Sequence, residues 1–451
     1  MAASRKRDFR QGYFVDLDLP HGRYWLDGFS VSPALTCIEG PGTIRVDGLS
    51  TASLLVENGR IGRILPGAAP DDGAPRVEGR GRMLLPRFVE VHTHLDKGQV
   101  HHRAPNPNGT FLGAREAVMA DREANWTAAD VRARMDFALR CALHHGTGAI
   151  RTHLDSIGKQ TAISWGVFDE MRAEWRDRIA LQAVCLFPVV KVIDEAEEFA
   201  ETVRHVRRYG GVLGAVTFLG EPLDGKLDAA LDIMIGIAKA EGIDLDFHVD
   251  ESDSPEARSL ERIADALIRH KFTGRALAGH CCSLALMAEA ERARVIDKLV
   301  AARLNVVSLP MCNMYLQDRV SGRTPRWRGV APLHELDAAG VSTMVSSDNT
   351  RDAFYAYGDL DAVEVYREAT RILHFDHSER PWLETIFTRP ADQMGLAEKG
   401  RLAPGLAADL VIVPARTMNE FLSRPQIGRV VLIDGKVIAA PLPDYAELDT
   451  L

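Results

Sequence analysis

The middle of the chain alternates short apolar segments with longer stretches in which apolar residues recur at helical spacing. Helical spacing is found at Ala128–His144, Leu227–Ala240 and Leu284–Arg303. Eight apolar segments have the length and composition of buried strands. They are Phe88–Leu95, Ala149–Leu154, Leu181–Pro188, Leu213–Phe218, Leu245–Val249, Arg275–His280, Asn305–Leu309 and Ser342–Ser347.

Strands that alternate with helices favour a parallel sheet. Eight such repeats within residues 86–395 predict an α/β fold of the (β/α)₈ TIM-like barrel type. The alternative is an open doubly wound sheet, which would need a glycine-rich phosphate turn after the first strand. The sequence has no such turn there, so the barrel is the better interpretation.

Both ends of the chain have a different pattern, in which short β segments are separated by turns. Residues 43–85 contain Asn58-Gly59, a strong hairpin signal. Residues 396–451 contain the β segments Ala408–Val413 and Arg429–Ile438. The two ends therefore predict one small β domain built from residues 43–85 and 396–451. Residues 1–42 are interrupted by proline and glycine, which predicts an irregular N-terminal extension.

Composition narrows the classes of function. The 451 residues include 46% hydrophobic and 26% charged residues, and the formal net charge is -9. These values are typical of a soluble globular protein and argue against nucleic-acid or anionic-membrane partners. No apolar run is long enough to span a membrane, and no signal core follows the basic N-terminus. The six cysteines have no disulfide-framework spacing, so we expect a reduced, cytoplasmic chain.

Polar side chains gather where several predicted strands end, which is where a barrel carries its catalytic groups. His92 and His94 are two residues apart, so both imidazoles point to the same face of a strand. The other residues of this set are His248, Glu251, His280 and Asp348. Each has a structural alternative; Asp348, for example, would be an ordinary helix N-cap. Six such residues at four strand ends favour a functional site.

The donor types in this set suit a transition metal. His92, His94, His248 and Asp348 form a plausible ligand set for one divalent ion per chain, zinc or iron(II). Both ions accept mixed imidazole and carboxylate ligands, and a position would remain open for water.

The order of these residues resembles the amidohydrolase superfamily. His248-Val249-Asp250-Glu251 resembles the HxxE motif of its deaminases, and the β segments at both chain ends resemble its small β-sandwich. Leu95-Asp96-Lys97 is also similar to isopropylammelide hydrolases, which cleave an exocyclic C–N bond on a triazine ring. Within the superfamily, the chain most resembles the cytosine deaminase branch. The resemblance lies at Phe88–Asp96, Arg151–Asp155, Asn313–Gln317 and Arg326–Gly329.

The resemblance implies metal-dependent hydrolysis that removes an amino group from a small heterocycle. Asp348 would take a proton from the attacking water, and Glu251 would protonate a ring nitrogen. His280 would orient or polarise that water. Family members are often homo-oligomers, which is therefore also expected here.

The residues that correspond to substrate contacts depart from the cytosine deaminase pattern. Val189 follows Phe187-Pro188 where those enzymes have a glutamine, and valine cannot form its hydrogen bonds. Asn349 replaces an acid, and Phe354 replaces a tryptophan. The sequence therefore predicts a related cyclic amidine or aminated heterocycle instead of cytosine. Asn313, Gln317 and His153 are further candidate substrate contacts.

Three other functions remain as alternatives. A hydrolase of this fold could open a cyclic amide ring, or it could remove an alkylamino group from a triazine. Release of ammonia without ring opening would separate deamination from both. A non-catalytic binding protein would usually have lost a metal ligand or Glu251, and this chain has the whole set.

Overall fold

The computed structural model describes residues 19–40, 42–218, 224–254 and 257–451. Residues 1–18 and 41 of the predicted N-terminal extension lie outside the described residues. In chain order the strands are β1 (Arg23–Val31), β2 (Ser50–Glu57), β3 (Arg60–Pro66), β4 (Arg76–Glu78), β5 (Met83–Pro86), β6 (Phe88–Thr93), β7 (Thr147–Asp155), β8 (Ala180–Leu186), β9 (Leu245–Val249), β10 (Ala276–His280), β11 (Leu304–Ser308), β12 (Thr343–Val345), β13 (Leu410–Val413), β14 (Val430–Ile433) and β15 (Lys436–Val437).

The α-helices vary widely in length, and short 3₁₀ helices lie at Pro33–Leu35, Cys282–Leu286, Trp382–Ile386 and Tyr445–Leu448. In chain order the α-helices are α1 (Phe111–Asn125), α2 (Ala128–His145), α3 (Lys159–Trp175), α4 (Lys191–Asp194), α5 (Ala196–Tyr209), α6 (Asp224–Glu241), α7 (Ser259–His270), α8 (Glu289–Ala302), α9 (Pro310–Leu316), α10 (Leu333–Ala339), α11 (Ala362–Leu373), α12 (Thr388–Gln393) and α13 (Met418–Ser423). Within the described residues, no helix has both the length and the apolar character needed to cross a bilayer.

The chain divides into two compact units. The smaller unit contains the described residues up to Phe88, together with His144–Gly146 and Glu398–Ala440. Its strands form one sheet in the order β15-β14-β13-β5-β1-β2-β3, with β4 beside β1. Asn58 and Gly59 both have positive φ, as a tight hairpin turn requires, and they connect the antiparallel strands β2 and β3. The predicted hairpin is confirmed.

The smaller unit differs from the predicted boundaries at β1. The sequence predicts an irregular segment there, whereas residues 23–31 lie inside the sheet, between β5 and β2. Tyr24 and Leu26 pack in the main core of this unit, and Trp25 packs on the other face against Leu55. Because both faces of β1 are covered, its residues do not alternate between apolar and polar, and the strand signal is lost.

The C-terminal residues also differ from the predicted boundaries. Residues 441–451 belong to the larger unit, with 89–143 and 147–397. Leu448 packs against Phe137 and Cys141 of α2, and Glu447 forms an ion pair with Arg140. Tyr445 adds a ring contact with Phe137 and a hydrogen bond to Asp359. Such scattered long-range contacts leave no periodic signal in the sequence.

The larger unit contains two sheets, β6-β7-β8 and the parallel sheet β9-β10-β11-β12. Seven of the eight predicted strands appear within a few residues of their predicted bounds. The fourth, Leu213–Phe218, is replaced by isolated parallel bridges from residues 212–216 to both β8 and β9. Gly214 permits this close approach, since a Cβ there would lie 2.1 Å from the Asp246 carbonyl oxygen.

The predicted helices at 128–144 and 227–240 correspond to α2 and α6. The predicted helix Leu284–Arg303 is instead divided into a 3₁₀ helix and α8, because the backbone at Met287 and Ala288 is extended. The apolar residues keep their helical spacing on both sides of this break. The sequence pattern therefore does not reveal the break.

Candidate active site

Four side chains from three strand ends converge on one point. His92 Nε2 lies 3.2 Å from His248 Nε2, which lies 3.3 Å from His94 Nε2. Asp348 Oδ1 lies 3.1 Å from His94 Nε2 and 3.5 Å from His92 Nε2. A tetrahedral zinc site with bonds of about 2.1 Å places neighbouring ligand atoms roughly 3.4 Å apart. These four distances are close to that value, as expected for ligands of one metal ion.

The protonation states of these groups also suit a metal. Burial, together with the charge of Lys97, lowers the pKa of His94 to about 4, and burial holds the pKa of His248 well below its ordinary value. Neutral imidazole is the form that binds metal ions. Burial would raise the pKa of Asp348, but the surrounding histidines outweigh it and hold that pKa well below its usual value. The site thus offers neutral nitrogens and an ionised carboxylate.

His280 lies beside the same cluster. One ligand atom each from His92, His248, His280 and Asp348 also fall within 4.8 Å of one another. The Nδ1 atom of His280 lies 2.8 Å from Asn313 Nδ2, while its buried Nε2 has no hydrogen-bond partner among the described residues. Because the Asn313 amide donates to Nδ1, the ring proton resides on Nε2. His280 therefore presents an N–H group to the site.

Glu251 adjoins this pair. Its side chain is 12% exposed, and its Oε1 atom lies 3.4 Å from His280 Nδ1 and accepts a hydrogen bond of 3.2 Å from Asn313 Nδ2. Burial and the nearby Asp348 carboxylate raise the pKa of Glu251 well above its ordinary value. A protonated carboxyl group in this position can act as a proton donor.

The backbone around the cluster keeps the strand ends in place. Ser346 Oγ accepts hydrogen bonds from the backbone N–H groups of Val91 and His92, and Thr93 Oγ1 donates to the Asp348 carbonyl oxygen at 2.7 Å. These contacts join the end of β6 to the end of β12. Gly279 leaves room for the His92 ring, because a Cβ there would lie 2.8 Å from His92 Cε1.

A cavity of about 320 Å³ opens onto the cluster. His94, His248, Glu251, His280 and Asp348 all line it. Its walls carry aromatic and apolar side chains, including Phe111, Met119, Phe187, Pro188 and Phe354. Apolar walls with a few polar groups at the base are typical of a small-molecule site.

The structure places some of the predicted substrate contacts in the cavity lining and others outside it. Asn349 and Phe354 line the cavity, whereas Val189 is buried outside its lining and donates its backbone N–H to the Val216 carbonyl oxygen. The turn after β8 presents Pro188 and Lys191 to the cavity instead.

The other three predicted contacts also lie outside the cavity lining. Asn313 contacts Glu251 and His280, and Gln317 Nε2 donates to the Glu251 carbonyl oxygen at 3.3 Å. His153 is fully buried, with its ring centroid 4.1 Å from that of His92. These residues support the groups around the cluster and do not line the cavity themselves.

Sequence reasoning missed one wall of the cavity, which is formed by α1. Arg115, Val118, Met119 and Arg122 line it, and they follow the i, i+3, i+4, i+7 spacing of a single helical face. That spacing was readable from the sequence. A face that mixes arginine with apolar residues does not resemble a core-facing stripe, so the pattern does not identify it as a cavity wall.

Comparison with known proteins shows the family. The amidohydrolase family model matches residues 206–439. The chain is 53% identical over 422 residues to the pterin deaminase of Rhizobium rhizogenes, covering 93% of this chain and 94% of that protein. It is 24% identical over 416 residues to N-isopropylammelide isopropyl amidohydrolase of Pseudomonas sp. strain ADP, covering 87% and 97% of the two chains. The structure matches 5-methylcytosine deaminase from Klebsiella pneumoniae with a TM-score of 0.79 at 23% identity, covering 92% and 97%.

The chain belongs to the amidohydrolase family. It is a hydrolase of carbon–nitrogen bonds other than peptide bonds, and it deaminates a heterocycle by hydrolysis. The predicted family and the predicted class of reaction are both confirmed.

Proposed function

We propose that this enzyme is a metal-dependent pterin deaminase, which hydrolyses the 2-amino group of a pterin to a carbonyl group and releases ammonia. The observation that carries this substrate is the 53% identity to a pterin deaminase over nearly the whole of both chains. The cavity supports it, because the Phe111 and Phe354 rings, 5.5 Å apart, offer aromatic surface to a planar bicycle.

The proposed architecture is a closed (β/α)₈ barrel with a β-sandwich from both chain ends. Support for closure comes from two sets of contacts within the larger unit. Residues 212–217 form backbone hydrogen bonds to β8 on one side and to β9 on the other. At the opposite edges, Thr93 and Asp348 form a parallel bridge, and the Asp348 N–H donates to the His92 carbonyl oxygen.

His92, His94, His248 and Asp348 would hold one divalent ion, zinc or iron(II). The short distances between their ligand atoms support this assignment. Such an ion supplies Lewis acidity, which lowers the pKa of water and makes it nucleophilic at neutral pH.

The chain's own residues then handle the protons of the reaction. Asp348 Oδ2 is buried without a hydrogen-bond partner among the described residues, so it is free to accept a proton from the water that attacks C2. The His280 Nε2–H group stabilises the oxygen as it becomes bonded to C2. Glu251 protonates the adjacent ring nitrogen, and the proton taken up by Asp348 passes to the departing amine. As the C–N bond breaks, the hydroxyl group on C2 returns its remaining proton to Glu251, which restores the acid. Water and the C–NH₂ group thereby become a carbonyl group and ammonia.

The substrate assignment is tested by a panel of ring compounds incubated with zinc-loaded or iron-loaded enzyme. We expect ammonia from pterin, a product that retains the bicycle, and little turnover of cytosine. The panel also contains N-isopropylammelide, with isopropylamine detected in parallel, and creatinine as a cyclic amidine. Ammonia from cytosine with pterin inert, isopropylamine release, or silence across the panel would each overturn the proposal.

Asn313 is proposed as a positioning residue for His280. Asn313→Asp replaces the amide donor with an acceptor, which would move the His280 proton to Nδ1 and leave Nε2 without a hydrogen. We expect kcat to fall by roughly 10²-fold, as when one oxyanion donor is lost, with KM changed little. Steady-state kinetics and metal content measure both effects. Recovery of activity in Asn313→Gln or Asn313→Ser, which keep a donor, would support the tautomer role, whereas equal losses in all three variants would contradict it.

A cytoplasmic location and a homo-oligomeric state remain proposals. All six cysteines are free thiols, and five of them are buried, which suits a reducing compartment. Sedimentation equilibrium of the full chain would test oligomerisation, and a monomer at micromolar concentration would contradict it.

A further inference from the structure

The cavity lining contains more basic than acidic side chains. Its lining includes Lys97, Arg115, Arg122 and Lys191. Against these stand only three acidic residues, Asp155, Glu251 and Asp348. The last two belong to the proposed catalytic cluster. Asp155 is thus the one acid of the lining outside that cluster.

Three of the four cations already have partners. Asp155 forms ion pairs with both Lys97 and Arg122, with N–O distances of 3.3 and 2.8 Å. Lys191 lies between Glu195 and Glu198, to which it donates hydrogen bonds. These three side chains are therefore held by the protein before any ligand arrives.

Arg115 is the exception. Its side chain is half-buried on the cavity face of α1, next to Val118 and Met119. Among the described residues it has neither a hydrogen bond nor an ion pair. A guanidinium group presents its N–H donors in a planar fork that matches the oxygens of a carboxylate or a phosphate. A cationic fork that lines a substrate cavity without a protein partner is suited to an anionic part of the ligand.

The position of Arg115 indicates which part of the substrate it would bind. The reacting carbon of a pterin lies in the pyrimidine ring, which must face Glu251 and Asp348. The pyrazine ring lies at the other end of the bicycle and extends away from those groups. Lys97 lies three residues after the proposed ligand His94, whereas Arg115 lies on α1, which carries none of the proposed ligands.

We propose that the preferred substrate is a pterin that carries an anionic substituent on its pyrazine ring, and that Arg115 binds this substituent. This inference rests on the proposed function and adds a specificity-determining residue to it. The substituent is a carboxylate or a phosphate ester, since both present oxygens to the guanidinium fork. The deamination itself is unchanged, so Arg115 affects which pterin is used and not how the amino group leaves.

The test compares pterin, 6-carboxypterin and the phosphate ester of 6-hydroxymethylpterin as substrates of the metal-loaded enzyme. Arg115→Gln is expected to lower kcat/KM for the preferred anionic pterin by about 10- to 100-fold, the loss of a charge-assisted contact. For unsubstituted pterin, the loss of kcat/KM should be clearly smaller than for the preferred anionic pterin. The two anionic substrates distinguish a carboxylate from a phosphate ester. The substrate with the larger loss of kcat/KM carries the substituent that Arg115 binds. Arg132→Gln, which removes an exposed arginine on α2, is the control.

An equilibrium measurement provides a second readout. Titration calorimetry with the deaminated products, with and without the same anionic substituents, should show the affinity loss in Arg115→Gln for the anionic products alone. Equal effects of the substitution on neutral and anionic ligands, or no effect on either, would overturn the role of Arg115. The proposed function would still hold in that case, provided that the enzyme deaminates pterin. Failure of the wild-type enzyme to release ammonia from any of the three pterins would overturn both proposals together.

Discussion

Glu251→Gln is expected to lower kcat for deamination by about 10²- to 10⁴-fold, the contribution of a positioned general acid–base group. Glutamine keeps the size of the side chain and can still accept a hydrogen bond from Asn313, which lies 3.2 Å from Glu251 Oε1. It cannot give a proton to a ring nitrogen. The substitution therefore removes the proton transfer and leaves the surrounding contacts in place.

The measurement is steady-state ammonia release, with metal content determined on the same preparation. The variant should retain one metal ion per chain, because Glu251 is not among the four proposed ligands. Glu197→Gln is the matched control: it makes the same chemical change at an exposed position in the first turn of α5. Full activity of Glu251→Gln with metal bound would refute the acid–base role.

His94→Ala is expected to weaken metal binding by at least about 100-fold. Even groups that only orient a ligand contribute roughly 10- to 100-fold to metal affinity, and a ligand should contribute no less. His94 Nε2 lies 3.1 Å from Asp348 Oδ1 and 3.3 Å from His248 Nε2, so the substitution removes one of the four proposed ligand atoms. Activity should fall with the metal.

Metal content after dialysis against a weak chelator measures this loss. The shift in Tm on adding zinc is a second readout, since a ligand that binds only the folded state stabilises it. His102→Ala is the control, because His102 is an exposed neighbour of the same stretch. A His94→Ala protein that retained one tightly bound equivalent would refute the ligand assignment. His94→Gln fills more of the site than His94→Ala does. Metal loss in both variants would therefore not be explained by misfolding of the alanine variant.

The sequence predicts secondary-structure elements correctly where the pattern of apolar residues reflects the local environment of the element. β9 has the predicted bounds, Leu245–Val249, since all five of its residues are buried and its apolar run ends at a turn. β1 was not predicted, and the predicted strand Leu213–Phe218 forms isolated bridges instead of a regular strand. β1 is covered on both faces, and residues 212–217 pair with both neighbours through a backbone that Gly214 allows to approach closely.

The sequence by itself determined which chemistry the chain can carry. The two-residue spacing of His92 and His94 and the three-residue spacing of His248 and Glu251 place donors at strand ends through local geometry alone. The family and the class of reaction followed from the resemblance of that order of residues to the amidohydrolase superfamily.

Only the tertiary structure decided which side chains face the substrate. Val189 follows the same strand end as Pro188 and Lys191 but is buried outside the cavity lining, because the turn after β8 directs its neighbours inward. The fold brings Asn313 next to His280 and Glu251. It also places Arg115 in the cavity lining, where it has no ion pair with any of the described residues. The direction of a side chain after a strand ends depends on the backbone angles of the loop and on long-range packing. Neither leaves a periodic signal in the sequence.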